Sequence, residues 1–185
     1  MKKWILTTGI GNLEERKEEL TILAEKLFKE IVSLPKEVRN DEKERNGMAI
    51  FIASRFSDNF IRFNIGTPSD RAIRYAQRKA EMLEFSDIFT TREHENPEYA
   101  IWAGGICTSG SVYEEKNETN PEGIWLCIGV SGLKSEEDEV IAIILAATIL
   151  EVSPKEMAEK MVPGELSENI RLKGHYLYEI IEKYS

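Results

Sequence analysis

Ile124-Trp-Leu-Cys-Ile-Gly-Val-Ser-Gly-Leu-Lys-Ser-Glu-Glu-Asp-Glu-Val-Ile-Ala-Ile-Ile-Leu-Ala-Ala-Thr-Ile-Leu150 holds most of what the sequence says about architecture. Its first part, Ile124, Trp125, Leu126, Cys127, Ile128 and Val130, is a short apolar run between Gly123 and Gly132, rich in β-branched and aromatic residues as a buried strand is. Gly129 and Gly132 flank Ser131, and Ser135 stands three residues before Asp138 as an N-cap with an acidic partner. A helix is expected from about Glu136, with Glu136, Glu137, Asp138 and Glu139 at the positive end of its dipole. From Val140 to Leu150 only Thr148 is polar. A helix with no wet face is buried on both sides, so the expectation is self-association: its own sheet covers one side and another subunit covers the other, through residues 136–150.

Working outward, 185 residues suffice for one domain with a real core. The two cysteines show no disulfide pattern and fit a reducing compartment. After Met1-Lys2-Lys3 the apolar part is only Trp4, Ile5 and Leu6, too short for a secretion signal, and no run approaches the roughly 20 apolar residues of a membrane span. The expectation is a soluble, cytoplasmic protein with no membrane partner. A net charge of -9 without a dominant Lys/Arg cluster argues against nucleic acid.

Asn12 with Glu15 offers a helix start, and Leu20, Leu23, Ala24, Leu27, Phe28 and Ile31 recur at helical spacing up to Pro35. Residues 36–46 are charged and read as a solvated connection. Residues 48–56 and 60–65 form two β-rich runs about Ser57-Asp58-Asn59, a hairpin signal. Thr67-Pro68-Ser69-Asp70 then supplies an N-cap and first-turn proline for a helix to about Glu84. On it, Ala72, Ile73, Ala76, Ala80 and Leu83 form one face and Arg71, Arg74 and Arg78 line the other. The arginines suit an anion-binding stripe; pairs of Asp70 with Arg74 and Arg78 with Glu81 are the simpler account. Lys79, at the edge of the apolar side, must snorkel or find a partner.

Residues 84–99 read as a loop anchored by Phe85 and Phe89, and His94 in it stands alone, with no histidine or cysteine at metal-ligand spacing. Residues 100–108 form a strand containing Gly104-Gly105, where a bulge or the close approach of a ligand to the backbone is possible. A long acidic hairpin loop, 109–123, leads back to the strand at 124–130. Cys107 and Cys127 would face each other in a symmetric hairpin; buried free thiols are the simpler account. Beyond Leu150, Ser153-Pro154 opens a short helix, Pro163-Gly164 breaks it, and Ser167-Glu168 starts a last one carrying His175 among tyrosines.

The order of hairpin, helix with Arg78-Lys79-Ala80, Phe89-Thr90-Thr91, Gly104-Gly105 strand and Gly129-Val130-Ser131-Gly132 before Glu136-Glu137-Asp138-Glu139 resembles the haem-degrading domain family, the GlcG/HbpS-like group related to the corrinoid-linked PduO C-terminal domain. The likeness covers roughly residues 13–150. It implies an α+β fold with a central antiparallel sheet of about five strands flanked by helices, profilin-like or PAS-like, assembling into dimers and larger rings. Residues 1–150 would be that domain, and 151–185 a C-terminal helical extension packed on it. The strand here reads Gly104-Gly105-Ile106-Cys107-Thr108 where the family has Gly-Gly-Leu-Pro-Ile, and its following loop is longer.

The resemblance implies binding of a small molecule or tetrapyrrole, haem or corrinoid, in a pocket beside the sheet formed by Lys79, Thr90, Thr91, Gly104, Gly105 and Ser131. His94 would then reach haem iron. The alternative is a non-catalytic oligomeric scaffold. Hydrolysis has least behind it, since Ser131 lacks a Gly-x-Ser-x-Gly elbow and neither histidine has an evident partner. Convergence of Lys79, Ser131 and Asp138 in one closed pocket would bring catalysis forward.

Overall fold

The computed structural model describes residues 12–54, 58–84, 90–94, 103–109, 125–161 and 164–185. Asn12 caps the first helix, its Oδ1 accepting from the Glu14 amide at 3.1 Å, and α1 runs Leu13–Ser33 until Pro35 forbids continuation. A single turn, α2 (Lys36–Arg39), closes on Asn40 in the left-handed region at φ 50°. Strands β1 (Gly47–Ser54) and β2 (Phe60–Gly66) form the expected hairpin, antiparallel from Ala53↔Phe60 to Gly47↔Gly66.

Helix α3 spans Asp70–Glu84. Its start is capped by Ser69, whose Oγ accepts from the Ala72 amide at 3.2 Å, two residues later than the Thr67 cap read from sequence. Next come a 3-10 turn (Thr91–His94), β3 (Gly105–Ser109) and β4 (Trp125–Ser131). Helix α4 then occupies Ser135–Leu150, α5 Pro154–Lys160 and α6 Tyr176–Lys183, with a second 3-10 turn at Glu168–Ile170. The last helix begins later than Ser167-Glu168 because Gly174 turns the chain at φ 88° and His175 caps it, Nδ1 accepting from Leu177 N at 3.3 Å.

The class is α+β: an antiparallel sheet of four strands among the described residues, ordered β2-β1-β4-β3. An isolated bridge from Thr90 to Ile106 lies on the outer edge of β3. Side chains alternate across the sheet. Ile50, Ile52, Ile106, Ile128 and Val130 join α1 and α4 in the main core. The opposite face is built of small residues (Ala49, Ala53, Gly105, Gly129), against which α3 lays Ala72, Ala76 and Ala80. A Cβ at Gly129 would overlap the Ala76 carbonyl oxygen, so the glycine sets how closely α3 approaches β4.

Helix α4 is buried all round, Val140 through Ala147 being at most 1% exposed, and the cover comes from this one chain. Sheet strands β3 and β4 lie on one side; α1, α5 and α6 lie on the other. Met157, Ala158, Leu166, Ile170, Leu177, Ile180 and Ile181 share its core. The cover expected from a second subunit over residues 136–150 is thus supplied within this chain, in large part by the C-terminal segment. Arg16 finishes the helix, donating to the Ile149 and Thr148 carbonyls at 2.9 and 3.3 Å where the last turn runs short of amide donors.

Candidate functional site

Three consecutive carboxylates at the start of α4, Glu137, Asp138 and Glu139, are at most 3% exposed. A buried carboxylate is costly unless paired. Each of these meets a cation from a different part of the chain. Arg39 forks onto Glu137, Nε to Oε1 and Nη2 to Oε2 at 2.8 Å each. Lys79 of α3 reaches Asp138 Oδ2 at 3.3 Å and also donates to the Val130 carbonyl at 2.6 Å. Arg92 forks onto Glu139 at 2.6 and 2.9 Å.

Backbone amides complete the shells: Leu133 N donates to Asp138 Oδ1, Lys134 N to Glu137 Oε2 and Ser167 N to Glu139 Oε2. Burial raises the Asp138 carboxyl above its ordinary value, against the pull of Lys79. Arg39 is held above its ordinary value by its hydrogen bonds to Glu137. Burial also pushes Asp41 up, but Arg45, the Lys43 amide and Arg39 outweigh it and the net shift is down.

Residues 36–46 are thus no mere solvated connection, since Arg39 and Asp41 are 4% and 6% exposed and serve this network. The C-terminal segment is fastened to it by Tyr176 Oη donating to Glu137 at 3.1 Å and Asn169 Nδ2 donating to Glu136 at 3.2 Å. Burial and the Glu137 charge raise Tyr176 well above the usual phenol value.

Beside this network, between α3 and the β4–α4 turn, lies a cavity of about 670 Å³. Six cationic side chains line it, Lys43, Arg45, Arg71, Lys79, Arg92 and Lys134, against the carboxylates Glu136 and Asp138. Ser131, 7% exposed, contributes to the wall, and its hydroxyl has no partner among the described residues. Ser135 and Glu136 bring the open N-terminal end of α4 to the same space.

The residues singled out from sequence divide. Lys79 and Ser131 line the cavity. Thr90 donates its hydroxyl to the Glu165 carbonyl at 2.6 Å, and Thr91 Oγ1 accepts from Gly105 N at 3.0 Å, so both brace the end of β3. Gly104 and Gly105 stand at the entry to β3 instead of inside a strand, with Gly104 at φ 113°. A Cβ at Gly104 would come within 2.7 Å of Lys79 Nζ and 2.6 Å of Asp138 Cβ, so the room it leaves is filled by that pair and not by a ligand. The His94 side chain, Phe85, Phe89 and most of the 109–123 loop lie outside the described residues.

Of the arginine stripe, Arg71 alone lines the cavity. The helix pairs Gln77 with Glu81 and Arg71 with Tyr75 in place of the expected ion pairs. Arg45, Arg92 and Lys134 were not candidates from sequence, because they come from separate segments and none stands in a local cluster. The β3–β4 register sets Cys107 opposite Cys127, which is fully buried. Among the described residues no group of three His, Cys, Asp or Glu is placed to hold a metal, and no helix is long and apolar enough to cross a membrane. Comparison with protein-family models, with curated proteins and with solved structures returns no match.

Proposed function

We propose that this chain is a binding protein for a small anionic molecule, held in the cavity between α3 and the β4–α4 turn. The observation that carries this is the lining: six cations meet two carboxylates in a chain whose net charge is -9. The cations left unmatched by acids repel one another, and a bound anion relieves that cost. The volume, about 670 Å³, falls among small-molecule sites.

The resemblance to the haem-degrading domain family supports the same class of ligand, because a tetrapyrrole presents carboxylates that arginine and lysine recognise. Lys79, Ser131 and Asp138 do line one cavity, but an open one and not the closed pocket that would favour catalysis. In addition, Lys79 Nζ is committed to Asp138 and Val130, and the Ser131 hydroxyl has no base within hydrogen-bond reach among the described residues. An unactivated serine is a poor nucleophile but a good donor to an anion, which supports binding over hydrolysis.

Calorimetric titration with hemin and a panel of small carboxylates and phosphates, each beside a neutral analogue, tests the reading. At least one anion binds saturably, its affinity drops as salt is raised, and Arg71→Glu weakens it; Arg71 is exposed and its one side-chain bond among the described residues is to Tyr75, so folding is spared. Anions binding no better than their neutral analogues would overturn the proposal.

A further inference from the structure

Pairing the cavity's cations with carboxylates one by one leaves a remainder. Lys79 is matched by Asp138, Arg92 by Glu139, Lys134 by Glu136 and Arg45 by Asp41. Arg39, just behind the wall, is matched by Glu137. Lys43 and Arg71 have no carboxylate partner among the described residues. The site therefore carries two positive charges that its own acids do not balance.

The donors at one end of the cavity are of a particular kind. Ser131 is more than nine-tenths buried, lines the cavity and gives its hydroxyl to no partner among the described residues. An unsatisfied buried hydroxyl is disfavoured unless something completes it. Next to it α4, a helix of 16 residues, opens with Ser135 and Glu136, whose N–H groups have no acceptor inside the helix. The amides of Leu133 and Lys134 are already taken by Asp138 and Glu137, and the next two amides belong to residues that line the space. Two acids stand at this end: Asp138 is held by Lys79 and the Leu133 amide, and Glu136 is turned aside. Its carboxylate is turned to Lys134 Nζ at 2.7 Å and to Asn169 Nδ2 at 3.2 Å.

We propose that the α4 end of the cavity is a phosphoryl subsite, in which the Ser131 hydroxyl and the Ser135 and Glu136 amides bind the oxygens of a phosphate monoester. This rests on the reading of the cavity as an anion site and names the anion. A phosphate monoester carries about two negative charges and three free oxygens around one centre. Its charge answers the unmatched pair, Lys43 and Arg71, and its tetrahedral oxygens accept donors arriving from a helix end and a strand end at once. A carboxylate offers one charge and two oxygens in a plane, so it fits the arrangement less well.

The test compares two dianions by calorimetry, inorganic phosphate and succinate, on the full chain and on Ser131→Ala and Arg71→Gln. Phosphate binds more tightly than succinate. Ser131→Ala weakens phosphate about tenfold, as loss of a hydrogen bond to a charged group does, and changes succinate less than about twofold. Because that hydroxyl has no partner among the described residues, its removal leaves the melting temperature unchanged, which separates binding from folding. Arg71→Gln weakens both anions. Equal binding of phosphate and succinate with Ser131→Ala silent would overturn the phosphoryl subsite and leave the anion cavity standing. Binding of neither dianion would overturn both.

Discussion

Replacing Arg39 with alanine removes both hydrogen bonds that hold the Glu137 carboxylate, 2.8 Å each, and leaves a fully buried charge with the Lys134 amide and the Tyr176 hydroxyl. It also removes a cation that sits 3.3 Å from Asp41. Breaking a buried pair in this one-sided way costs about 3–5 kcal/mol, because the surviving charge keeps its desolvation penalty. In a chain of 185 residues each kcal/mol lowers the melting temperature by roughly 2–4 °C, so the midpoint should fall by about 6–20 °C. Thermal unfolding at neutral pH, followed by far-UV circular dichroism, measures this. The double variant Arg39→Met with Glu137→Leu, which buries no uncompensated charge, should recover most of the loss. Arg39→Ala melting within about 2 °C of the wild type would refute the claim that this pair anchors the start of α4.

Gly129→Ala should destabilise by about 3 kcal/mol, read by urea unfolding, because its Cβ would overlap the Ala76 carbonyl and force α3 off the sheet. A chain ending at Leu150 should aggregate or stay unfolded, since it uncovers α4 residues that contribute about 1.5–3 kcal/mol each by burial; a soluble, cooperatively melting fragment in light scattering and calorimetry would contradict this. Alkaline pH should loosen the C-terminal segment. Burial and the hydrogen bond to Glu30 push Tyr184 up to about 12, and burial with Glu137 raises Tyr176. Because both phenols keep their protons longer in the folded state, the stability they add is complete below about pH 10 and is lost as pH climbs through the folded values. Ultraviolet titration of tyrosinate should show a late-ionising class; all six tyrosines ionising together near the ordinary value would count against it.

Elements whose causes are local were legible in the sequence. Asn12 and Pro35 bound α1, the 48–65 hairpin shows strand pattern around a polar turn, and Ser153-Pro154 starts α5 as such a pair does. The apolar run of 140–150 correctly announced a helix needing cover on both sides, but not where the cover comes from. Met157, Leu177 and Ile181 lie in short, ordinary amphipathic segments, and only folding shows which helix they face.

The acidic start of α4 misled for a related reason. Negative charge there suits the dipole whether it is wet or buried, and the deciding partners, Arg39, Lys79 and Arg92, lie 98, 59 and 47 residues away. Lys79 was the exception, since a lysine beside an apolar helix face needs a partner wherever that partner is. The cavity's cations follow the same logic: Lys43, Arg45, Arg71, Arg92 and Lys134 are unremarkable one at a time and form a site only in three dimensions.

The anion cavity is tested most directly by mapping backbone amide chemical shifts in ¹⁵N-labelled protein during titration with inorganic phosphate. The largest saturable shifts should fall on Ser131, Gly132, Ser135 and Glu136 and on Arg71, which is far from them in sequence but lines the same cavity. Shifts scattered over α1 and α6, or none that saturate, would contradict it.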